Sequence, residues 1–171
     1  MKSTPKKAAS TATHKTDAIK LLTADHAEVH ALFKSYAELC EQGADADERA
    51  PLAEQICLLL TVHATIEEEI FYPEARDAGV ESALLDEAEV EHASVKELID
   101  QIRGMEADDD LYDAKVTVLG EYIDHHVKEE QDEIFPKCAN TEMDLKAIGA
   151  ELAARKAELT AEMTEGMKAT Q

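Results

Sequence analysis

The chain has 171 residues and a formal net charge of -21, from 17 basic against 38 acidic side chains. That field repels phosphate backbones and anionic lipid surfaces and attracts cations, which sets nucleic acid and membrane aside as partners. Six glycines, four prolines and few aromatics, against abundant Ala, Glu, Leu, Lys and Asp, point to an all-helical chain long enough to bury a core without disulfides.

Residues 1–15 are rich in Lys, Ser, Thr and Ala without an apolar period and read as a flexible basic tail, with His14 solvated. Residues 16–138 read as one helical bundle and 139–171 as a C-terminal helix and tail. The first helix is expected from Thr16 or Asp17 through Cys40, with Leu22, His26, Val29, Leu32 and Tyr36 on its inner stripe, and Gly43 ends it. The second is expected to start near Asp47 or Ala50, with Pro51 in its first turn, and to end or kink near Tyr72 because Pro73 lacks a donor. Its stripe includes Ile56, Leu60, His63, Ile66, Glu67 and Ile70.

A third helix over about 81–105 carries Leu85, Ala88, His92, Val95, Ile99 and Ile102 inward. The fourth, over about 110–135, is expected to bury Leu111, Ala114, Val118, Leu119, Tyr122, His126 and Glu130 and to stop at Pro136. A fifth amphipathic helix opens at Asn140-Thr141 and runs to about Met163, with a structural role. Cys40, Cys57 and Cys138 are odd in number and lack CxxC spacing, so neither a disulfide framework nor a thiolate zinc site is expected. The start lacks the apolar centre of a secretion signal, and no stretch reaches the ~18 apolar residues of a membrane span. A soluble, cytoplasmic protein is expected.

One segment occurs twice. HATIEEEIFYP begins at His63 and HHVKEEQDEIFP at His125, so that His63 matches His126, Glu67 matches Glu130 and Pro73 matches Pro136. Ile70-Phe71 matches Ile134-Phe135 only with a slip of one residue, which leaves Tyr72 without a counterpart. DHAEV at Asp25 and EHASV at Glu91 form a weaker second repeat. The chain thus reads as two helical hairpins, each a His helix followed by a His-Glu helix.

At helical pitch a His and the Glu four residues on share a face. Four antiparallel helices bring His26, His63, His92 and His126 to one level, with Glu67 and Glu130 among them. Two carboxylates on apolar stripes need compensation that a cation supplies directly. Imidazole and carboxylate without thiolate suit Fe, Zn or Mn, and six donors exceed what one tetrahedral zinc needs. Two metals spanned by Glu67 and Glu130, with two His each, use the set fully and leave an open position.

These segments, DHAEV, HATIEEEIFYP, EHASVKELI and HHVKEEQDEIFP, resemble the hemerythrin family, specifically the bacterial HHE cation-binding domains, over about residues 17–138. The resemblance implies an antiparallel up-down four-helix bundle holding two Fe ions, oxo- or hydroxo-bridged, with His26, His63, His92 and His126 as terminal ligands and Glu67 and Glu130 as bridges. It also implies a small diatomic ligand or peroxide as partner. The oxygen carriers have a further His where this chain has Lys96, which speaks against reversible oxygen carriage and toward NO or peroxide chemistry. His125 lies five residues before Glu130 and is the alternative to His126, as a ligand in its place, a substitute for the missing fifth His, or a surface residue. A π-bulge in the fourth helix bears on that choice and fits the register slip.

Four readings of function follow: a di-iron binder or sensor of O2, NO or peroxide; an enzyme decomposing hydrogen peroxide or oxidising ferrous iron; a divalent-cation store or structural metal site; and a metal-free acidic bundle. Asp25 and Glu91 are expected to face solvent, as are Glu68 and Glu129 unless one adds a ligand. His30 is expected at the surface or edging a channel. Tyr36, Tyr72 and Tyr122 are expected to pack, with one able to reach a bound oxygen species.

Overall fold

The structure, a computed structural model, describes residues 17–169, so the N-terminal tail and His14 lie outside it. Helix α1 spans Ala18–Glu41, and its N-cap Asp17 accepts a hydrogen bond from Lys20 N at 2.9 Å. It closes on Gly43 at φ 71°, where Ala44 N–H reaches Leu39 O at 3.0 Å, a stop that favours a residue without Cβ. Helix α2 spans Ala46–Ile66. Its cap is Asp45, upstream of the expected start, so Pro51 falls inside the helix rather than in its first turn.

Pro73 does not end this helical run. A π-helical turn covers Glu67–Phe71, in which Tyr72 N–H bonds Glu67 O, and α3 continues over Tyr72–Asp77 with Pro73 in its first turn, where no donor is required. The same device recurs. Helices α4 (Ser82–Arg103) and α5 (Tyr112–Glu129) are followed by a second π turn, Glu130–Ile134, with Phe135 N–H on Glu130 O, and then α6 (Phe135–Ala139) carries the chain through Pro136. Helix α7 spans Leu145–Ala169.

The two π turns remove the apparent slip in the repeat. Each begins on the conserved-spacing Glu, and the buried residues that follow are Phe71, Tyr72 and Ala75 in one copy and Ile134, Phe135 and Cys138 in the other. The correspondence is therefore continuous, and Tyr72 has a counterpart after all, in Phe135.

Helices α1, α2, α4 and α5 pack as a closed ring of antiparallel neighbours, and α7 lies across α1 and α2. The inner face of α5 differs from expectation: Tyr112, Val116, Leu119, Ile123 and His126 are buried, while Leu111, Val118 and Tyr122 are exposed. Counting back from His126 in steps of three and four gives the observed set, whereas uniform steps of four drift off the buried face.

The interior consists of two apolar clusters. One, around Leu22, Ile66, Phe71, Tyr72, Leu85 and Phe135, includes Ile148, Leu152 and Leu159 of α7. The other gathers Val29, Ile56, Leu60, Val95, Ile99, Val116 and Leu119. Between them lies a layer of buried polar side chains, His26, His63, Glu67, His92, His126 and Glu130. No helix among the described residues is long and apolar enough to cross a membrane.

Candidate metal centre

Each side of the ring supplies a pair of imidazoles. His26 of α1 and His63 of α2 bring their Nε2 atoms to 3.1 Å, and His92 of α4 and His126 of α5 bring theirs to 3.0 Å. The two carboxylates lie between the pairs and are fully buried. Glu67 points Oε1 at His63 Nε2, 3.2 Å away, and Oε2 at His92 Nε2, 3.4 Å away. Glu130 presents a single oxygen to both sides, with Oε2 at 3.0 Å from His26 Nε2 and 3.5 Å from His126 Nε2. Its Oε1 accepts a hydrogen bond from the Tyr72 hydroxyl at 2.8 Å.

Three of these rings are held from behind. His63 Nδ1 faces Asp25 Oδ2 at 3.3 Å, His92 Nδ1 faces Glu68 Oε1 at 3.0 Å, and His126 Nδ1 faces Glu91 Oε2 at 2.7 Å. A carboxylate accepts only, so each Nδ1 carries the proton and each Nε2 of the neutral ring presents a lone pair inward. His26 differs: Gln131 Nε2 lies 3.2 Å from its Nδ1, and since an amide N–H donates, this Nδ1 accepts.

Asp25 and Glu91 thus do not face solvent as expected. Each orients the His of a neighbouring helix rather than the His beside it in sequence, which no spacing along one helix reveals. Glu68 likewise serves His92, and Lys96, standing where the carriers have a further His, donates to both Glu68 oxygens at 2.8 and 2.6 Å. His125 stays outside the cluster at 65% exposure, beside Glu91 and Glu129. His30 is exposed near Asp124 and edges a groove that reaches His26 and Gln131. Of the tyrosines, Tyr36 is buried and donates to Asp113, Tyr122 is exposed, and Tyr72 alone reaches the centre.

The donor geometry fits cations. Around a first-row metal with bonds of about 2.1 Å, neighbouring donor atoms lie roughly 3.0–3.4 Å apart, close to the observed separations. The ligating atoms of His26, His63, Glu67 and Glu130 fall within 4.8 Å of one another, as do those of Glu67, His92 and His126. Although nitrogen and oxygen approach closely, Glu67 Oε1, Glu67 Oε2 and Glu130 Oε2 are buried without a properly directed hydrogen bond. The facing lone pairs of His92 and His126 at 3.0 Å and the orphaned carboxylate oxygens are both costly unless a positive charge sits among them.

In the metal-free chain that charge is a proton. Burial opposes a charge on His63, but the Glu67 carboxylate and the Asp25 hydrogen bond lift its pKa to about 10. Burial likewise opposes His92, which the adjoining Glu67 carboxylate and the hydrogen bond to Glu68 raise to about 9. Glu67, despite its burial, is held well below the usual carboxylate range by His63 and His92.

The sequence profile of the hemerythrin HHE cation binding domain matches residues 17–138. The chain belongs to the hemerythrin HHE cation-binding family. No curated protein is significantly similar to it in sequence. In fold, this hemerythrin-family chain is similar to a crystal structure of a hemerythrin HHE cation binding domain-containing protein from Mycobacterium kansasii, with a TM-score of 0.74 at 20% identity over 90% of this chain and 93% of that one. The family profile stops before α7, whereas the structural likeness extends over most of the chain.

Proposed function

We propose that this hemerythrin-family chain is a non-haem di-iron protein that takes up O2, NO or peroxide at an open iron position. His26 and His63 would hold one ion and His92 and His126 the other, with Glu67 and Glu130 supplying carboxylate oxygens between the two pairs. The supporting observation is the set of three buried carboxylate oxygens that lack a hydrogen-bond donor while four imidazole Nε2 atoms surround them. When bound, an iron pair supplies electron transfer and an exchangeable coordination position for a small ligand.

The chain's own residues prepare that position. Asp25, Glu68 and Glu91 hold the Nδ1 protons and aim Nε2 of each ring at the metal position. The two apolar clusters exclude bulk water. Against His26, His63 and His126 lies a small chamber of ≈ 20 Å³, lined by Val29, Leu60 and Ile123. Space of that size holds about one water. It suits a diatomic molecule or peroxide.

Metal analysis of the full chain tests this reading: two irons per chain are expected, and one zinc or no metal overturns it. Optical spectra of the reduced protein with O2, NO and peroxide then sort binder from catalyst. A stable charge-transfer band supports binding, and rapid loss of peroxide supports the enzymatic alternative.

A further inference from the structure

We infer that Lys156, on the helix beyond the family domain, is a positioning residue for the metal site formed by His26 and His63. The inference rests on the metal-binding reading above. Lys156 Nζ donates to Asp25 Oδ1 at 2.5 Å, and the other oxygen of the same carboxylate, Oδ2, faces His63 Nδ1 at 3.3 Å. Asp25 is 12% exposed and Lys156 27%, so the relay is sheltered from bulk solvent without being sealed.

A carboxylate with one contact can rotate about its side chain; anchored at both oxygens it cannot. Lys156 fixes the plane of Asp25, Asp25 holds His63 Nδ1 from behind, and His63 Nε2 is thereby aimed at the metal position. Lys156 also lines the chamber beside His26 and His63, so its stem helps close that space.

The position of Lys156 is itself determined by docking of α7. Ile148, Leu152 and Leu159 enter the apolar cluster that holds Leu22 and Ile66, while the adjacent Arg155 pairs with Glu69 of the first π turn at 2.7 Å. An analogous relay serves the other half of the bundle, running from Lys96 of α4 to Glu68 of the first π turn and back to His92 of α4. The fifth helix therefore supplies to the first half what Lys96 supplies to the second, and its role goes beyond packing.

The test is anaerobic ferrous-iron titration of the full chain, with imidazole N–H proton resonances recorded on the zinc-loaded protein. Lys156→Gln is expected to weaken one of the two binding steps by about 10-fold or more, leave the other unchanged, and shift the His63 N–H resonance but not that of His92. Lys156→Arg should restore the step. Asp25→Asn should reproduce the loss, and the double variant should add nothing further. Lys96→Gln should give the reciprocal pattern, with His92 shifted and His63 unmoved. Arg155→Gln, which loosens the same helix without touching Asp25, should leave both steps alone; if it matches Lys156→Gln, helix docking and not the relay is responsible and the inference fails. The inference also fails if Lys156→Gln leaves both steps and the His63 resonance as in the wild type. A wild-type chain that binds no metal sinks the underlying reading instead, which distinguishes the two failures.

Discussion

The two halves of the bundle are near-copies that support their imidazoles differently. In the His92–His126 half both rings are backed by carboxylates, Glu68 and Glu91, from α4 and the first π turn. In the His26–His63 half, one ring is backed by Asp25 and the other by the neutral amide of Gln131. The aromatics that match across the repeat differ as well. Tyr72 stacks on His92 with centroids 5.6 Å apart and sends its hydroxyl to Glu130, while Phe135 stacks on His26 at 5.7 Å and has no hydroxyl to send to Glu67. A carboxylate behind an imidazole makes it a stronger donor. The second half should therefore grip its ion more tightly, and the first half, both of whose rings border the chamber, should be the more exchangeable.

The largest effect is expected where the halves meet. Glu67→Ala removes the residue whose two oxygens serve both pairs, so metal content should fall from two ions to one or none, with a loss of thermal stability in the iron-loaded protein. Full retention of both ions would show that Glu67 does not join the halves. The proton balance comes next. His63 and His92 have pKa values raised above 6.5 in the metal-free fold, so the stability they contribute is fully present below about pH 6.5 and is lost as pH rises through about 9 and 10. Glu67 has the opposite sign, its contribution being present above its ordinary value of 4.5 and lost as the solution is acidified below it. Metal must displace the His protons, so iron uptake at neutral pH should release acid, measurable by pH-stat, and apparent affinity should climb with pH up to that range.

Tyr72→Phe makes the aromatics of the two halves alike. Loss of a hydrogen bond to a charged acceptor costs roughly 1.5–3 kcal/mol, readable by denaturant titration of the loaded protein; a change within error would mean that the hydroxyl does not hold Glu130. Gln131→Glu gives His26 the carboxylate it lacks and should strengthen the weaker iron step by up to about 10-fold. The smallest change belongs to His125→Ala. An exposed ring outside both pairs should leave metal content and stability where they were, within ~0.5 kcal/mol.

Those contrasts also mark how far the sequence could be read. His63-Glu67 and His126-Glu130 announce themselves because a four-residue spacing puts both side chains on one helical face, and His26 and His92 follow from matching acidic-His segments. The bundle and its order follow from stripes at three and four. Asp25, Glu68, Glu91 and Lys156 were not legible as supports, because their partners lie on other helices and cross-helix pairing leaves no periodic trace. The fourth helix was misread at Val118 and Tyr122 by counting in fours from a correct anchor. Tyr72 was misaligned because Ile-Phe occurs in both copies, and letter identity outweighed the backbone register that places Tyr72 opposite Phe135.

The π turns have a further consequence. A regular α-helix advances about 100° per residue, and each of these turns holds one residue more than a regular turn would, beginning at Glu67 and at Glu130. Were the same residues wound as a regular α-helix, everything downstream would be rotated by about that angle, swinging the phenol of Tyr72 away from Glu130 while Glu67 and His63 stayed where they are. The extra residue is thus an aiming adjustment, made once in each copy, that lets one continuous rod present a carboxylate and then an aromatic to the same central point.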